Sequence, residues 1–204
     1  MQSASTIAVP NVAQPRERGA GGAVEIVPLR GLPIVAAIFV LLLVAIVGNW
    51  GWALMFFHVA GGGLWTGVDL FVGLVLGPIL GRLPVEARIE FSKRFMPKMM
   101  LIMPTLVTVT LASGWQVARR YGFLAWPYPM HWWVTASFIV VGVMAIIALG
   151  VLEPANLAVL FELNKPRPNG QLIGSLMRRF LYTAGITGVM QLATLIIMTR
   201  LGTP

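Results

Sequence analysis

One predicted helix carries a histidine and an aspartate on the same face. Four residues follow the helical spacing i, i+4, i+7 and i+11, namely His58, Gly62, Trp65 and Asp69. At about 100° per residue, eleven steps return to within about 20° of the starting direction, so the four form one stripe about 16 Å long. A neutral imidazole there can ligate haem iron or hydrogen-bond a neighbouring helix. Both interpretations stay open from the residues alone.

A second histidine, His131, begins a later apolar segment at a depth similar to that of His58. Two helices that each offer a histidine can clamp a haem, and Arg119 and Arg120 near the same end can pair with its propionates. The alternative is that His131 belongs to an interfacial aromatic belt, because Trp132 and Trp133 follow it directly.

Three further patterns admit a structural and a chemical interpretation. A methionine face can pack a helix seam or bind Cu(I); it consists of Met96, Met99, Met100 and Met103. A polar stripe can join helices or line a path for protons or quinol together with Asp69; it consists of Thr183, Thr187, Gln191 and Thr194. Glycines at four-residue spacing can allow close helix packing; these are Gly73, Gly77 and Gly81. A first group beside the histidine can either pack or clear space for a flat ligand; it consists of Gly61, Gly62, Gly63 and Gly67.

The composition places these residues in a membrane. The chain of 204 residues is 57% hydrophobic and 11% charged, with a mean hydropathy of +0.82, whereas soluble domains carry roughly 25% charged residues. Its net charge of +8 is spread between apolar runs, which favours basic membrane loops over nucleic-acid binding. With no cysteine, thiolate zinc sites and cysteine-held iron–sulfur clusters are excluded.

We therefore predict an all-α integral membrane bundle of about five transmembrane helices at 31–201, behind a polar N-terminal tail at 1–30. The predicted spans cover, in order, residues 31–50, 51–81, 97–118, 131–152 and 176–198. Asp69 is then the only acid deep inside a span. The basic segment 82–98 is expected to form a separate interfacial amphipathic helix, and Glu153-Pro154 is expected to kink or end the fourth span.

The distribution of basic residues predicts the orientation. If the N-terminus is cytoplasmic, twelve Lys/Arg residues lie on the inner side and three on the outer side, namely Arg119, Arg120 and Arg200. We expect a multi-pass protein of the bacterial inner membrane, in contact with the lipid bilayer and with other membrane subunits.

The segment from His58 to Gly67 also resembles the signature helix of the CopD-like superfamily. Its pattern, His-x6-Trp-x-Gly, consists here of His58, Trp65 and Gly67. That superfamily includes copper-resistance membrane proteins and HemJ-like haem-synthesis proteins, and the resemblance covers about residues 50–200. It implies haem b held by His58, or copper handling. This chain differs in having an additional span before the signature helix, and it lacks further intramembrane histidines.

Three functions therefore compete at this point. The first is a haem b-binding membrane protein, acting as a redox or accessory subunit of a larger complex. The second is a non-catalytic structural membrane subunit, in which His58 and Asp69 only stabilise the bundle. The third is a copper-handling protein of the CopD-like type. The sequence does not decide whether the chain is an enzyme.

Overall fold

The computed structural model describes residues 24–203, and five long apolar helices dominate them. These are α1 (Leu29–Val47), α2 (Gly51–Arg82), α3 (Val85–Arg120), α4 (Met130–Leu163) and α5 (Gly170–Gly202). Each is long and apolar enough to cross a bilayer, and residues 24–203 include no β-strand. The chain is thus an all-α multi-pass membrane protein, which confirms the predicted fold class.

The helices pack around α3. It lies against α2 and α4, and α5 packs on both α2 and α4. The main apolar core lies between α2, α3, α4 and α5 and includes Val72, Met96, Met144, Val159 and Phe180. In contrast, α1 buries only Leu42 and Ala45, because its outer face is apolar throughout and is suited to lipid.

Both ends of the bundle are identifiable from the loops. Val24 donates its N–H to Asn164 Oδ1 at 2.6 Å and accepts from Asn164 Nδ2 at 3.0 Å. A Cβ on Gly170 would lie 2.7 Å from Val85 Cγ1, at the start of α3. The N-terminal segment, the α2–α3 turn and the α4–α5 loop therefore share one end, which we call the basic end. Of the predicted tail, residues 1–23 lie outside the described residues.

The basic segment 82–98 does not form a separate interfacial helix. Apart from its first residues at the α2–α3 turn, it is the beginning of α3, which is continuous over 36 residues with Pro97 and Pro104 inside it. At 1.5 Å per residue α3 is about 54 Å long, well beyond the roughly 30 Å hydrocarbon core. Its charged first turns therefore project from the bilayer at the basic end.

The fourth helix does not end at Glu153-Pro154 but continues to Leu163. A π-helical segment at Ala148–Leu152 precedes the proline. Such a widened turn accommodates a residue that has no N–H to donate. Likewise α5 begins at Gly170, six residues before the predicted span. Asn169 Oδ1 caps it by accepting from the N–H groups of Gln171 and Leu172 at 3.0 and 3.1 Å.

Candidate functional site in the bundle interior

The stripe on α2 faces the bundle. Trp65 and Asp69 are buried, with 2% and 1% of their surfaces exposed, and His58 and Gly62 are half-buried. Residues 51–70 form one uninterrupted α-helix, so the four residues keep the register that their spacing predicts. The other member of the resemblance pattern, Gly67, is exposed and has no atom of another element within reach of an added Cβ.

Asp69 is held by α5. Gln191 donates from Nε2 to Asp69 Oδ2 at 2.8 Å, and Thr187 Oγ1 lies 3.0 Å from the same oxygen. The single Thr187 hydroxyl proton can instead go to the carbonyl of Thr183 or Ala184, both within range. Gln191 is therefore the unambiguous donor, and the carboxylate links α2 to α5.

Small residues allow this contact. A Cβ on Gly188 would lie 3.0 Å from the Leu70 nitrogen and 3.2 Å from the Asp69 carbonyl carbon. Backbones that approach so closely bring short polar side chains of two helices into hydrogen-bonding distance. Part of the predicted polar stripe on α5, Thr187 and Gln191, thus forms a bridge between helices.

Sequence reasoning missed Glu153 as a second intramembrane acid. Because α4 continues through Pro154, Glu153 lies inside this helix, and its Oε2 is buried without a partner among the described residues. It shares with Asp69 the lining of a cavity of about 10 Å³, otherwise apolar, which has room for about one water molecule. The signal was present in the sequence: an acid directly follows an apolar run long enough to span.

Two other buried polar atoms near Asp69 make no hydrogen bond of good geometry among residues 24–203, namely Trp65 Nε1, which lies close to the Asp69 carboxylate, and Gln191 Oε1. One is a donor and the other an acceptor. Together with the Glu153 oxygen, they show that the centre of the bundle is more polar than its apolar lining suggests. The cavity can hold one water molecule but no larger group.

His58 is held by α3 rather than by α5. Its Nδ1 lies 3.0 Å from the Thr110 carbonyl oxygen. Because a carbonyl oxygen only accepts, Nδ1 is the donor of this hydrogen bond, and in a neutral imidazole Nε2 is then the acceptor. The ring lies against Gly114, where a Cβ would be 2.6 Å from His58 Cε1, so this glycine, which sequence reasoning missed, forms the notch for the imidazole.

Next to His58, α2 packs against Thr110 of α3 at Gly61 and Gly62. A Cβ on Gly61 would lie 2.7 Å from Thr110 Oγ1, and one on Gly62 would lie 3.5 Å from Thr110 Cγ2. Gly63 has no such neighbour within 4 Å, but it is exposed on another face of α2. The glycine cluster therefore serves helix packing at Gly61, and a haem macrocycle does not fit between α2 and α3 in this arrangement.

The other predicted haem residues lie near the same end but contact different groups. His131 is half-buried, and its ring centroid is 5.2 Å from that of Tyr128 in the preceding loop. Arg120 packs across the start of α2, because a Cβ on Gly51 would be 2.5 Å from its Nε. Arg119 is exposed. No contact among the described residues joins the imidazoles of His58 and His131.

The methionine face belongs to the apolar core. Met96, Met99 and Met103 are buried there, and Met100 packs against this core. Within residues 24–203, no three His, Cys, Asp or Glu side chains come together in a way that would hold a metal ion.

Comparisons with known proteins give no relative: no protein-family model, curated protein or solved structure matches the chain.

Proposed function

We propose that this chain is a non-catalytic structural subunit of a membrane complex. The observation that carries the proposal is the use made of its intramembrane polar groups. Asp69 is hydrogen-bonded to α5 and His58 to α3. The two residues whose side chains are best suited to proton transfer or metal binding therefore link α2 to its neighbouring helices. Ionisable groups within a membrane normally mark a functional path. For His58 and Asp69, hydrogen bonds between helices give a structural reason instead, whereas the buried Glu153 Oε2 has no such bond among the described residues.

The proposed location is the bacterial inner membrane, with the basic end in the cytoplasm. The twelve-to-three distribution of Lys/Arg residues supports this orientation. Most of α1 and large parts of the other helices expose apolar side chains, and these surfaces are available both to lipid and to the other subunits of such a complex.

A haem b-binding redox subunit is the second candidate, and one observation favours it. Metal-ligating histidines commonly donate their second ring nitrogen to a backbone carbonyl, which is the arrangement of His58 and Thr110. Bound haem would supply one-electron chemistry. Because α2 and α3 are packed together at Gly61, this function requires a different packing of these two helices or a partner that provides the pocket. No observation favours the copper alternative beyond the soft ligands of the methionine face.

Two substitutions of His58 separate the candidates. Asn places an amide N–H near the position of Nδ1 and can donate to the Thr110 carbonyl, but it is a poor haem ligand. Leu can neither donate a hydrogen bond nor bind haem iron. For a structural role, we expect His58→Asn to keep the thermal stability of the purified protein and the amount of its native complex, and His58→Leu to lower both. His131→Ala is the control and should change neither.

The visible spectrum of the same preparations tests the haem alternative. A Soret band and a reduced alpha band in the wild-type protein, lost in both His58 variants and retained in His131→Ala, would establish haem ligation by His58. That outcome would overturn the structural proposal.

A further inference from the structure

A groove opens at the basic end between the last turns of α2 and the first turns of α5. Its volume is about 620 Å³. Its walls are glycines, apolar side chains and arginines, and the main contributors are Gly77, Gly81, Arg82, Arg88, Arg178 and Leu181.

The glycine series on α2 explains the shape of this groove. At Gly73 the two helices touch, because an added Cβ would overlap the backbone of Gly185. One turn later, at Gly77, the nearest α5 atom is Leu181 Cβ at 3.9 Å, and at Gly81 nothing lies within 4 Å. The π-helical segment Phe71–Leu76 lies at this divergence. The helices thus separate toward the basic end, and the small residues leave the space between them open.

The groove is positively charged. Arg82, Arg88 and Arg178 line it, and no acidic residue does. Within residues 24–203 the ion pairs join Arg94 to Glu90 and Lys165 to Glu162, so the three groove arginines have no carboxylate partner there. Three guanidinium groups without a carboxylate partner give this groove donors that suit an anion with several oxygen atoms.

Among the groove arginines, Arg88 has a buried donor that lacks an acceptor. It reaches from α3 across α5, where a Cβ on Gly174 would lie 3.5 Å from its Nη1. Its Nε is buried and has no hydrogen-bond partner among the described residues. A buried guanidinium donor without an acceptor is costly, and a phosphate oxygen entering the groove would satisfy it.

We propose that this groove binds the phosphate headgroup of an anionic phospholipid, with an acyl chain lying along the apolar wall. A free phosphate offers the arginines the same oxygen atoms but has no acyl chain. The lipid is favoured because the groove is much larger than an inorganic phosphate and its lining continues from the arginines onto the exposed side chains of Pro78 and Tyr182. Basic pockets between transmembrane helices on the cytoplasmic side are known sites for anionic headgroups.

The test is a titration of the delipidated full-length protein in detergent with phosphatidylglycerol, phosphatidylcholine or inorganic phosphate, with the unfolding temperature as readout. We expect phosphatidylglycerol alone to stabilise the wild-type protein. Each basic residue near an anionic headgroup contributes roughly a factor of five in affinity, so R88Q/R178Q should bind about 25-fold more weakly. The control R119Q/R120Q loses the same charge at the opposite end and should bind like the wild type.

A second variant keeps all the arginines and fills the groove instead. An added side chain at Gly81 meets no neighbouring atom within 4 Å of its Cβ, so Gly81→Leu should fold normally and still weaken phosphatidylglycerol binding. This variant decides the matter if R88Q/R178Q does not fold. Unchanged binding by Gly81→Leu, equal weakening in the two double variants, or competition by inorganic phosphate at millimolar concentration would each overturn the proposal.

Discussion

The bond between Asp69 and Gln191 allows the sharpest test of how this bundle is held together. Gln191→Leu removes the amide that donates to Asp69 Oδ2 at 2.8 Å, and it leaves the carboxylate with the Thr187 hydroxyl as its remaining donor. Both residues are almost fully buried, at 3% and 1% exposure. Bulk solvent therefore does not reach the carboxylate to replace the lost bond, and the protein should be destabilised.

The expected magnitude follows from measured bonds between membrane helices. They contribute about 0.6 kcal/mol on average and up to about 1.7 kcal/mol. The short distance and the burial place this bond near the upper end, so we expect a coupling free energy of about 1.5 kcal/mol between the two side chains. The coupling free energy is a better measure than the stability change of Gln191→Leu alone. This substitution also removes the buried, unpartnered Oε1, and that gain offsets part of the destabilisation.

The assay is a double-mutant cycle of Asp69→Leu and Gln191→Leu, with reversible unfolding in mixed detergent micelles followed by tryptophan fluorescence. A control cycle pairs Gln191→Leu with Thr105→Val, because the buried Thr105 hydroxyl bonds only to Leu101 of its own helix, at 2.7 Å. This control should show no coupling. A coupling below about 0.5 kcal/mol for Asp69 and Gln191 would be indistinguishable from additivity and would refute the bridge.

Two further predictions concern glycines at which helices or rings touch. Gly114→Ala places a methyl group 2.6 Å from His58 Cε1, so it should displace the imidazole and lower the stability by about 1–3 kcal/mol. Gly73→Ala should cost as much or more, because the obstacle is the backbone of Gly185 and not a mobile side chain. For both, thermal unfolding in detergent is the measurement and Gly142→Ala, which meets no neighbour within 4 Å, is the control. Stability equal to that of the control in either variant would contradict the packing described.

The sequence was sufficient to predict the helices and the inward stripe. Apolar runs long enough to span a bilayer can be recognised from the sequence alone. The i, i+4, i+7 and i+11 spacing correctly predicted that His58, Trp65 and Asp69 share the face of α2 that packs against the bundle. The lengths of the helices were less predictable. Local composition changes at residue 98 and at Glu153, but α3 and α4 continue past these points because packing against neighbouring helices outweighs a charged segment or a proline.

The contacts of the candidate site could not be predicted from one sequence. Nothing in the spacing shows that Gly114 of α3 faces His58, or that Thr110 occupies the space beside Gly61. A glycine in an apolar helix looks the same whether it touches another backbone, as Gly73 does, or borders an open groove, as Gly81 does. That difference depends on how the axes of two helices diverge, which is a property of the packed bundle.

The two ionisable residues of the stripe face the same side of α2, yet they bind different helices. His58 meets α3 near the end opposite the basic end, and Asp69 meets α5 about 16 Å further along the helix. A shared face therefore does not imply a shared site, because the helices packed against that face change along its length. Two polar links at different depths, to different partners, fix both the rotation and the axial position of α2. A single cofactor seam would need both groups to point into one space, and the packing of α2 against α3 and α5 instead separates them.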